Sequence, residues 1–396
     1  MIDEVVRMIT LQNERIEVVD VIRGFSIFGI FLVNMLDFSS PIMYVRPEEW
    51  WSAPMDRWTV TIIDIVAQAS FYPLFAFLFG FSMIVFRKRV LEKALSFSCL
   101  FLRRLLALLV IGCIHAFFIW HGDILIAYAL TGFILLFFHR AHSRTWLVGA
   151  IMVFVVPHFV ISLLLGFAVF SGKSATLTSN EPLAIEALKH YRDGTIADIF
   201  LQRWNDWVYV NSMEGLLFTV MTLLAMCLFG GYIAQKQWFV YVEEHIRKMK
   251  TIWLFSLCIG VPLKLLPYLT EKNAWTEYVQ DMFGGPALSF FYATTIFLLF
   301  RKERWRKVLL PLAAVGRMSL TNYLFQSVFC TSLFYSYGLG LYGRVHPFYG
   351  LVLAIAIYFV QVIASKRWLR SFRMGPIEWA WRTATYGKRP LLRRLR

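Results

Sequence analysis

Apolar residues along this chain fall into long runs with few polar interruptions, and the runs recur at nearly even spacing from end to end. A helix needs about 17–25 predominantly apolar residues to cross the hydrocarbon core of a bilayer. The pattern predicts ten such helices. The first runs from Val21 to Leu36, the second from Trp58 to Phe86, and the third and fourth share the block from Arg103 to Phe138. The rest follow at Thr145–Phe170, Leu216–Ile233, Ile252–Leu269, Pro286–Phe300, Leu309–Tyr335 and Phe348–Ile363. Pro73 predicts a kink in the second span, because a proline inside a helix removes a backbone donor and crowds the preceding turn. The polar lead of residues 1–19 predicts a short helix ahead of an uncleaved anchor, since no small-residue cleavage site follows the first apolar run. The polar stretch 171–212 carries amphipathic patterns around Leu183–Tyr191 and Ile196–Tyr209, which are expected to lie along the membrane. The expected fold class is therefore all-α: a polytopic helix bundle over 1–365 with an outer loop at 171–212. A basic tail over 366–396 then carries a short helix starting at Pro376.

Composition agrees with that reading and charge orients it. Of 396 residues, 58% are hydrophobic and only 16% charged, with mean hydropathy +0.59. The 40 Lys and Arg outnumber the 25 Asp and Glu, giving a net charge of +15. The excess is not spread evenly. It gathers in alternate loops, such as Arg87-Lys88-Arg89, Arg247-Lys248, Arg301–Lys307 and the tail. Basic residues accumulate on the cytoplasmic side of membrane proteins, so both termini are expected inside a bacterial plasma membrane. The basic excess then predicts contact with lipid headgroups of the bilayer rather than with nucleic acid. The five cysteines sit in or beside apolar runs without ligand spacing and read as small hydrophobes, not as a metal site or a disulfide framework. No metal is predicted, and no GxSxG, Walker, HExxH or paired-cysteine motif supports a hydrolase, ATPase or zinc enzyme.

Ionisable residues at membrane depth are expensive and therefore mark candidate function. The joint between the third and fourth spans reads Trp120-His121-Gly122-Asp123, with His115 inside the preceding run. His121 beside Asp123 supplies a base and an acid able to set its tautomer, so the two are the candidate catalytic pair. Asp is equally the residue type that caps a helix N-terminus, and Asp123 precedes the fourth span. In the first span Asp20, Arg23 and Asn34 share one helical face. In the ninth, Asn322 and Gln326 share a face with Ser319, and Arg317 sits one turn in from the inner end. These residues, with Asp37 at the outer face and Asp64 in the second span, are candidate substrate contacts. For the ninth-span stripe, interhelical hydrogen bonding is the competing reading. Lys264, between Pro262 and Pro267, is expected to snorkel or face a cavity.

Three stretches together resemble one family. VVDVIRGFSIFGIFLVNM, RRLLALLVIGCIHAFFIWHGDILIAYALTG, and GRMSLTNYLFQS followed by GPIEWAWRTATYG resemble the bacterial YeiB-like membrane proteins, which carry the domain of unknown function 418. More loosely, the D-x-x-R-G of Asp20, Arg23 and Gly24 resembles transmembrane acyltransferases. In one branch of those enzymes a catalytic His follows this motif by about ten residues; here Asn34 takes that place. The resemblance implies transfer of an acyl group from a cytoplasmic acyl-CoA to an acceptor at the outer face. His121 would be the base, and Arg103, Arg104 and Arg317 would hold the coenzyme phosphates. The other function class is a transporter of a small solute, in which the buried polar residues line a path and Pro73, Pro262 and Pro267 mark broken helices. The oligomeric state is left open by either reading.

Overall fold

The computed structural model describes residues 16–172 and 179–394; the expected lead helix before Ile16 and the Lys173-Ser174 start of the outer loop lie outside the described residues. Among the described residues the chain is all-α, with no strand beyond one isolated bridge between Phe372 and Arg393. Leaving out the short helices Pro47–Trp50 and Glu303–Leu309, the helices are, in order, α1 (Glu17–Ser39), α2 (Pro54–Val66), α3 (Phe71–Leu91), α4 (Phe97–Ile114), α5 (Leu125–Phe138), α6 (Ser143–Phe170), α7 (Glu181–Asp193) and α8 (Ile196–Val210). They continue as α9 (Met213–Gln235), α10 (Val242–Leu269), α11 (Ala274–Val279), α12 (Gly285–Phe300), α13 (Leu312–Arg317), α14 (Ser319–Phe334), α15 (Pro347–Ser371) and α16 (Pro376–Tyr386). Two single turns of wider π-helix, His115–Ile119 and Gln280–Gly284, extend α4 and link α11 to α12.

Among the described residues, eight helical stretches are long and apolar enough to cross a membrane, against the ten expected. The two that fall short are the fourth and ninth. Helix α5 has 14 residues, and the Leu309–Tyr335 run is broken at Met318, where the backbone leaves helical geometry between α13 and α14. Helix α6 shows the lipid-facing character most plainly. Its best window has a mean hydropathy of 2.5, yet only 11% of it is buried within the protein, so its apolar surface needs a solvent other than water. Cys99 and Cys258 also lie on the exposed outside of the bundle, whereas Cys227 and Cys330 are interior as expected.

Helices pack here through glycines facing backbone. A Cβ on Gly24 of α1 would stand 2.1 Å from the Leu312 carbonyl oxygen, and one on Gly316 of α13 would stand 1.9 Å from that of Asp20. The same reciprocity joins α3 to α9, where a Cβ on Gly80 would meet the Cys227 carbonyl oxygen at 1.9 Å and one on Gly230 the Phe77 oxygen at 1.8 Å. Without a hydrophobic driving force between helices in lipid, such close approach supplies the packing energy.

The second expected span is broken, but not at Pro73. It lies within a 38-residue stretch, Pro54–Leu91, that is interrupted at 67–70, where Ala69 adopts φ 55°. Pro73 falls in the first turn of α3, where its missing N–H costs nothing. Three carbonyls around the break find side-chain donors. Val66 accepts from the Tyr292 hydroxyl (2.7 Å), Gln68 from Lys264 Nζ (3.1 Å) and Ser70 from Ser289 Oγ (2.5 Å). Non-helical backbone at membrane depth is tolerated only with such internal satisfaction.

Gly230→Leu is expected to destabilise the protein by about 1–3 kcal/mol through overpacking, measured as a lowered midpoint of reversible detergent unfolding; Phe229→Leu, beside it, is the reference substitution.

Candidate functional site

At the bundle end away from the basic loops, the chain between α4 and α5 is extended at Trp120 and then turns tightly over His121–Asp123, where the Asp123 N–H donates to the His121 carbonyl at 2.7 Å. The hairpin α7–α8 docks over this turn. One of its faces is buried with Tyr44, Trp120, Tyr335 and Tyr342, while Ile196, Phe200, Leu201 and Trp204 remain exposed on the other. The π turn frees the Phe117 carbonyl, which accepts from buried Arg203 of α8 at 3.0 Å. Under the hairpin, Asp206 gathers donors: Tyr44 OH (2.5 Å), Tyr191 OH (2.6 Å) and Gln202 Nε2 (2.6 Å).

His121 lies beside this carboxylate. Its Nδ1 is 3.3 Å from Tyr191 OH and 3.5 Å from Asp206, and its Nε2 is 3.5 Å from Asp37 with no hydrogen-bond partner among the described residues. Trp120 Nε1 and Tyr335 OH, in the same cluster of rings, also lack partners there. Burial lowers the His121 pKa and Arg203 adds to that, but Asp206 and Asp37 outweigh both, so it stands above the usual histidine value. Burial first, and Asp206 second, raise the Tyr44 hydroxyl, which stays a protonated donor.

Asp123 does not pair with His121. Its Oδ1 meets His115 Nδ1 at 2.8 Å, and its Oδ2 accepts the Ile126 N–H at 2.8 Å, the i+3 geometry of a helix cap. A Cβ on Gly112 would stand 3.2 Å from Asp123 Oδ2, so α4 passes close beneath the carboxylate. The extended backbone at Trp120 carries His121 toward the hairpin while Asp123 turns back under its own helix. His115 Nε2 in turn meets Ser327 Oγ at 2.8 Å, and all three side chains are fully buried.

At the opposite, basic end a crevice of about 1040 Å³ enters the bundle. Arg23, Arg104, Arg317 and Arg382 and the basic C-terminal end of α3 stand at its mouth, with Trp381 and Tyr386 of α16 as one wall. Farther in it is lined by Ile27, Ile30, Phe75, Phe79, Leu125 and Ile124, the residue after Asp123, with neither His121 nor Asp123 in its lining. Asp20 pairs with Arg23 at 3.0 Å, and Arg23 also donates to Ser82 Oγ at 2.9 Å. The Arg104 guanidinium lies 3.8 Å from the Trp381 ring centre, a cation–π contact. Arg103 instead turns to the Ala384 carbonyl at 3.0 Å and does not line the crevice. A second hollow of about 1100 Å³, lined by Arg301, Arg306, Lys307, Lys366 and Arg370, shares Asp20 and Arg317 with the first.

The remaining candidates are held elsewhere. Asn322 and Gln326 bond across to α15, at 3.0 Å to Ser365 Oγ and 2.8 Å to Gln361 Oε1, which is the interhelical arrangement. Asn34 is half-buried and makes no side-chain hydrogen bond among the described residues. Asp64 accepts from Tyr268 (2.7 Å) and Gln280 (2.6 Å), near the Lys264–Asp281 pair (3.2 Å), in which Lys264 is fully buried and Asp281 half-buried. Sequence reasoning missed Asp206, Tyr191 and Ser327. Gln202 and Asp206 at i, i+4 within an amphipathic helix were a visible signal; Ser327 closes the GRMSLTNYLFQS stretch beside Gln326, but nothing in that pattern points it to His115.

Comparison with known proteins follows this geometry. A family model described as "Protein of unknown function (DUF418)" matches residues 233–388. The "Uncharacterized protein YxaH" of Bacillus subtilis (strain 168) is 41% identical over 394 residues, covering 95% of this chain and 96% of its own length. The chain belongs to the YeiB-like DUF418 family. The "Uncharacterized protein YeiB" of Escherichia coli (strain K12) is 29% identical over 396 residues, covering 94% of this chain and 96% of its own length. An "Uncharacterized 39.9 kDa protein in amylase 3'region" of Bacillus acidopullulyticus is 30% identical over 388 residues, covering 96% of each. The matches are near full length, so the joint, the hairpin and both ends of the crevice belong to the aligned part of this DUF418 protein.

Asp206→Ala orphans Tyr44, Tyr191 and Gln202 at once. At about 1–3 kcal/mol per unsatisfied buried group, the hairpin is expected to loosen, seen as faster protease cleavage within 181–210 while the membrane-embedded fragments stay intact.

Proposed function

We propose that this protein moves an acyl group from an anionic carrier, an acyl-CoA, to an acceptor at the outer face of the bacterial plasma membrane, with both termini cytoplasmic. The observation that carries this reading is the crevice: a mouth of arginines suited to phosphates, and an apolar depth suited to the carrier's arm that reaches Ile124 beside the joint. Guanidinium groups bind phosphates with charge-assisted, often paired hydrogen bonds. Arg23, Arg104 and Arg317 take that role, the shared second hollow gives the nucleotide part room, and Arg103 acts only by fixing α16.

On the far side, His121 is the base. Its Nδ1 faces the Tyr191 hydroxyl, and its Nε2 faces the Asp37 carboxylate at 3.5 Å. Two acceptors opposed without a donor between them suit a hydroxyl or amine that brings the missing hydrogen, and a base takes that proton as the new bond forms. Asp123 contributes through His115 rather than through His121.

Transport of a small solute is the second reading. It draws on the broken α2–α3 helix and on Lys264 beside two prolines of α10, since discontinuous helices around buried charge typify transporters. Solute flux into sealed vesicles lacking any acyl donor would favour it.

Purified protein is expected to bind labelled acyl-CoA saturably, with Arg23→Ala and Arg317→Ala each weakening binding about tenfold or more; no saturable binding at millimolar ligand would remove the enzyme reading. The rate should rise with pH through the elevated His121 pKa, because only neutral His121 accepts a proton. Asp37→Asn removes one cause of the elevation, so the acid limb of the pH–rate profile should move to lower pH. An unmoved limb would take the base role from His121.

A further inference from the structure

We propose that Ser327, His115 and Asp123 form a nucleophilic triad that carries the acyl group as a Ser327 ester between the crevice and the outer acceptor. The inference rests on the acyl-transfer reading and adds a covalent step to it. His115 Nδ1 is held by Asp123 Oδ1 at 2.8 Å, and its Nε2 meets Ser327 Oγ at 2.8 Å. Each nitrogen of one ring is thus committed, one to a carboxylate and the other to a hydroxyl. That division of roles is what activates a serine: the acid fixes the ring and stabilises the imidazolium, and the ring takes the hydroxyl proton. Asp123 is itself fixed by the Ile126 N–H, so the ring cannot easily turn.

The three residues come from separate places in the chain, and a local irregularity brings them together. The π turn opens at His115, and such turns concentrate at functional positions. Interhelical packing of α14 uses Asn322 and Gln326, whereas Ser327 points away from that seam to His115. The crevice stops short of the triad at Tyr323 and Ile124. Tyr323 is one helical turn before Ser327. Its ring centre lies 5.0 Å from that of His115 and its hydroxyl donates to the Gly122 carbonyl at 3.2 Å. One side chain anchored to the joint therefore stands between carrier and nucleophile, and its displacement joins them.

In the first half-reaction Ser327 Oγ attacks the thioester carbonyl carbon and its proton passes to His115 Nε2. The carbon–sulfur bond breaks, and the carrier leaves as a thiolate that takes a proton from water in the crevice. In the second, the acceptor hydroxyl or amine attacks the ester carbon and gives its proton to His121. The carbon–oxygen bond to Ser327 breaks, and the serine oxygen recovers its proton from His115. The serine and His115 end as they began; one proton is taken up on the carrier side and one released on the acceptor side.

The test uses the full-length protein in detergent with two probes, p-nitrophenyl acetate and [14C]acetyl-CoA. With p-nitrophenyl acetate, which needs neither carrier recognition nor acceptor, a burst of nitrophenolate is expected, and mass spectrometry should locate the acetyl group on Ser327. Ser327→Ala should abolish the burst, and Asp123→Asn should slow it by about 10³-fold or more. Tyr323→Ala should speed it by opening the path, and Ser327→Cys should retain label as a thioester cleaved by neutral hydroxylamine, showing that the site folds. [14C]acetyl-CoA should place the same label. Label from the nitrophenyl ester but not from acetyl-CoA would uphold the triad and overturn the carrier reading. Transfer from acetyl-CoA that survives Ser327→Ala unchanged would overturn the triad and leave the carrier reading intact. No burst in either the wild type or Tyr323→Ala would overturn the triad outright.

Discussion

The contact of α1 with α13 through two glycines sets the geometry from which both ends of the molecule follow. A side chain at either Gly24 or Gly316 would collide with the partner's backbone, and in lipid no hydrophobic force compensates for a lost close contact. Because Gly24 follows Arg23 and Gly316 precedes Arg317, the same crossing delivers two guanidinium groups to one crevice mouth. Helix α1 then runs on to Asp37 at the other end. From Asp20 to Asp37 is about 25 Å at 1.5 Å per residue, so this one helix carries a member of each polar cluster.

Between the clusters the interior is closely packed, and most polar groups there are held by named partners, Thr131 Oγ1 being a buried exception among the described residues. The break in α2–α3 is tolerated because Tyr292, Lys264 and Ser289 reach its carbonyls. The Asn322–Gln326 seam is closed by Gln361 and Ser365. Asp123 serves three groups at once in effect: it caps α5, holds His115 and through that ring orders Ser327. Around His121, by contrast, several buried polar atoms lack partners. Unsatisfied groups are costly in a low-dielectric interior, and those of Trp120, His121, Arg203 and Tyr335 gather under the hairpin, the place proposed for the acceptor.

The helical architecture was legible because bilayer thickness imposes a length on every span, and the runs from Val21 to Leu36 or Thr145 to Phe170 declare it. Finer features were not. Pro73 drew attention to a kink, but the break falls before it, at Ala69, whose identity says nothing about its backbone. Adjacent residues in a tight joint suggested a His121–Asp123 pair, whereas extended backbone at Trp120 sends the two side chains to different partners. Periodicity finds residues on one helix face; it cannot find Ser327 across from His115, or Asp206 folded back from a loop 85 residues beyond His121. Arg103 and Arg104 looked equivalent, and only the docking of α16 separates them.

Sidedness is the most direct test of an acyl route that starts at the basic end and finishes under the hairpin. Membrane-impermeant [14C]acetyl-CoA would be added to inverted and to right-side-out vesicles from cells making the protein, and labelled acceptor measured in each. Label is expected only in inverted vesicles, where the crevice mouth faces the medium, and should disappear with Arg23→Ala. Equal labelling in both orientations, or labelling that persists without Arg23, would contradict a route through the crevice.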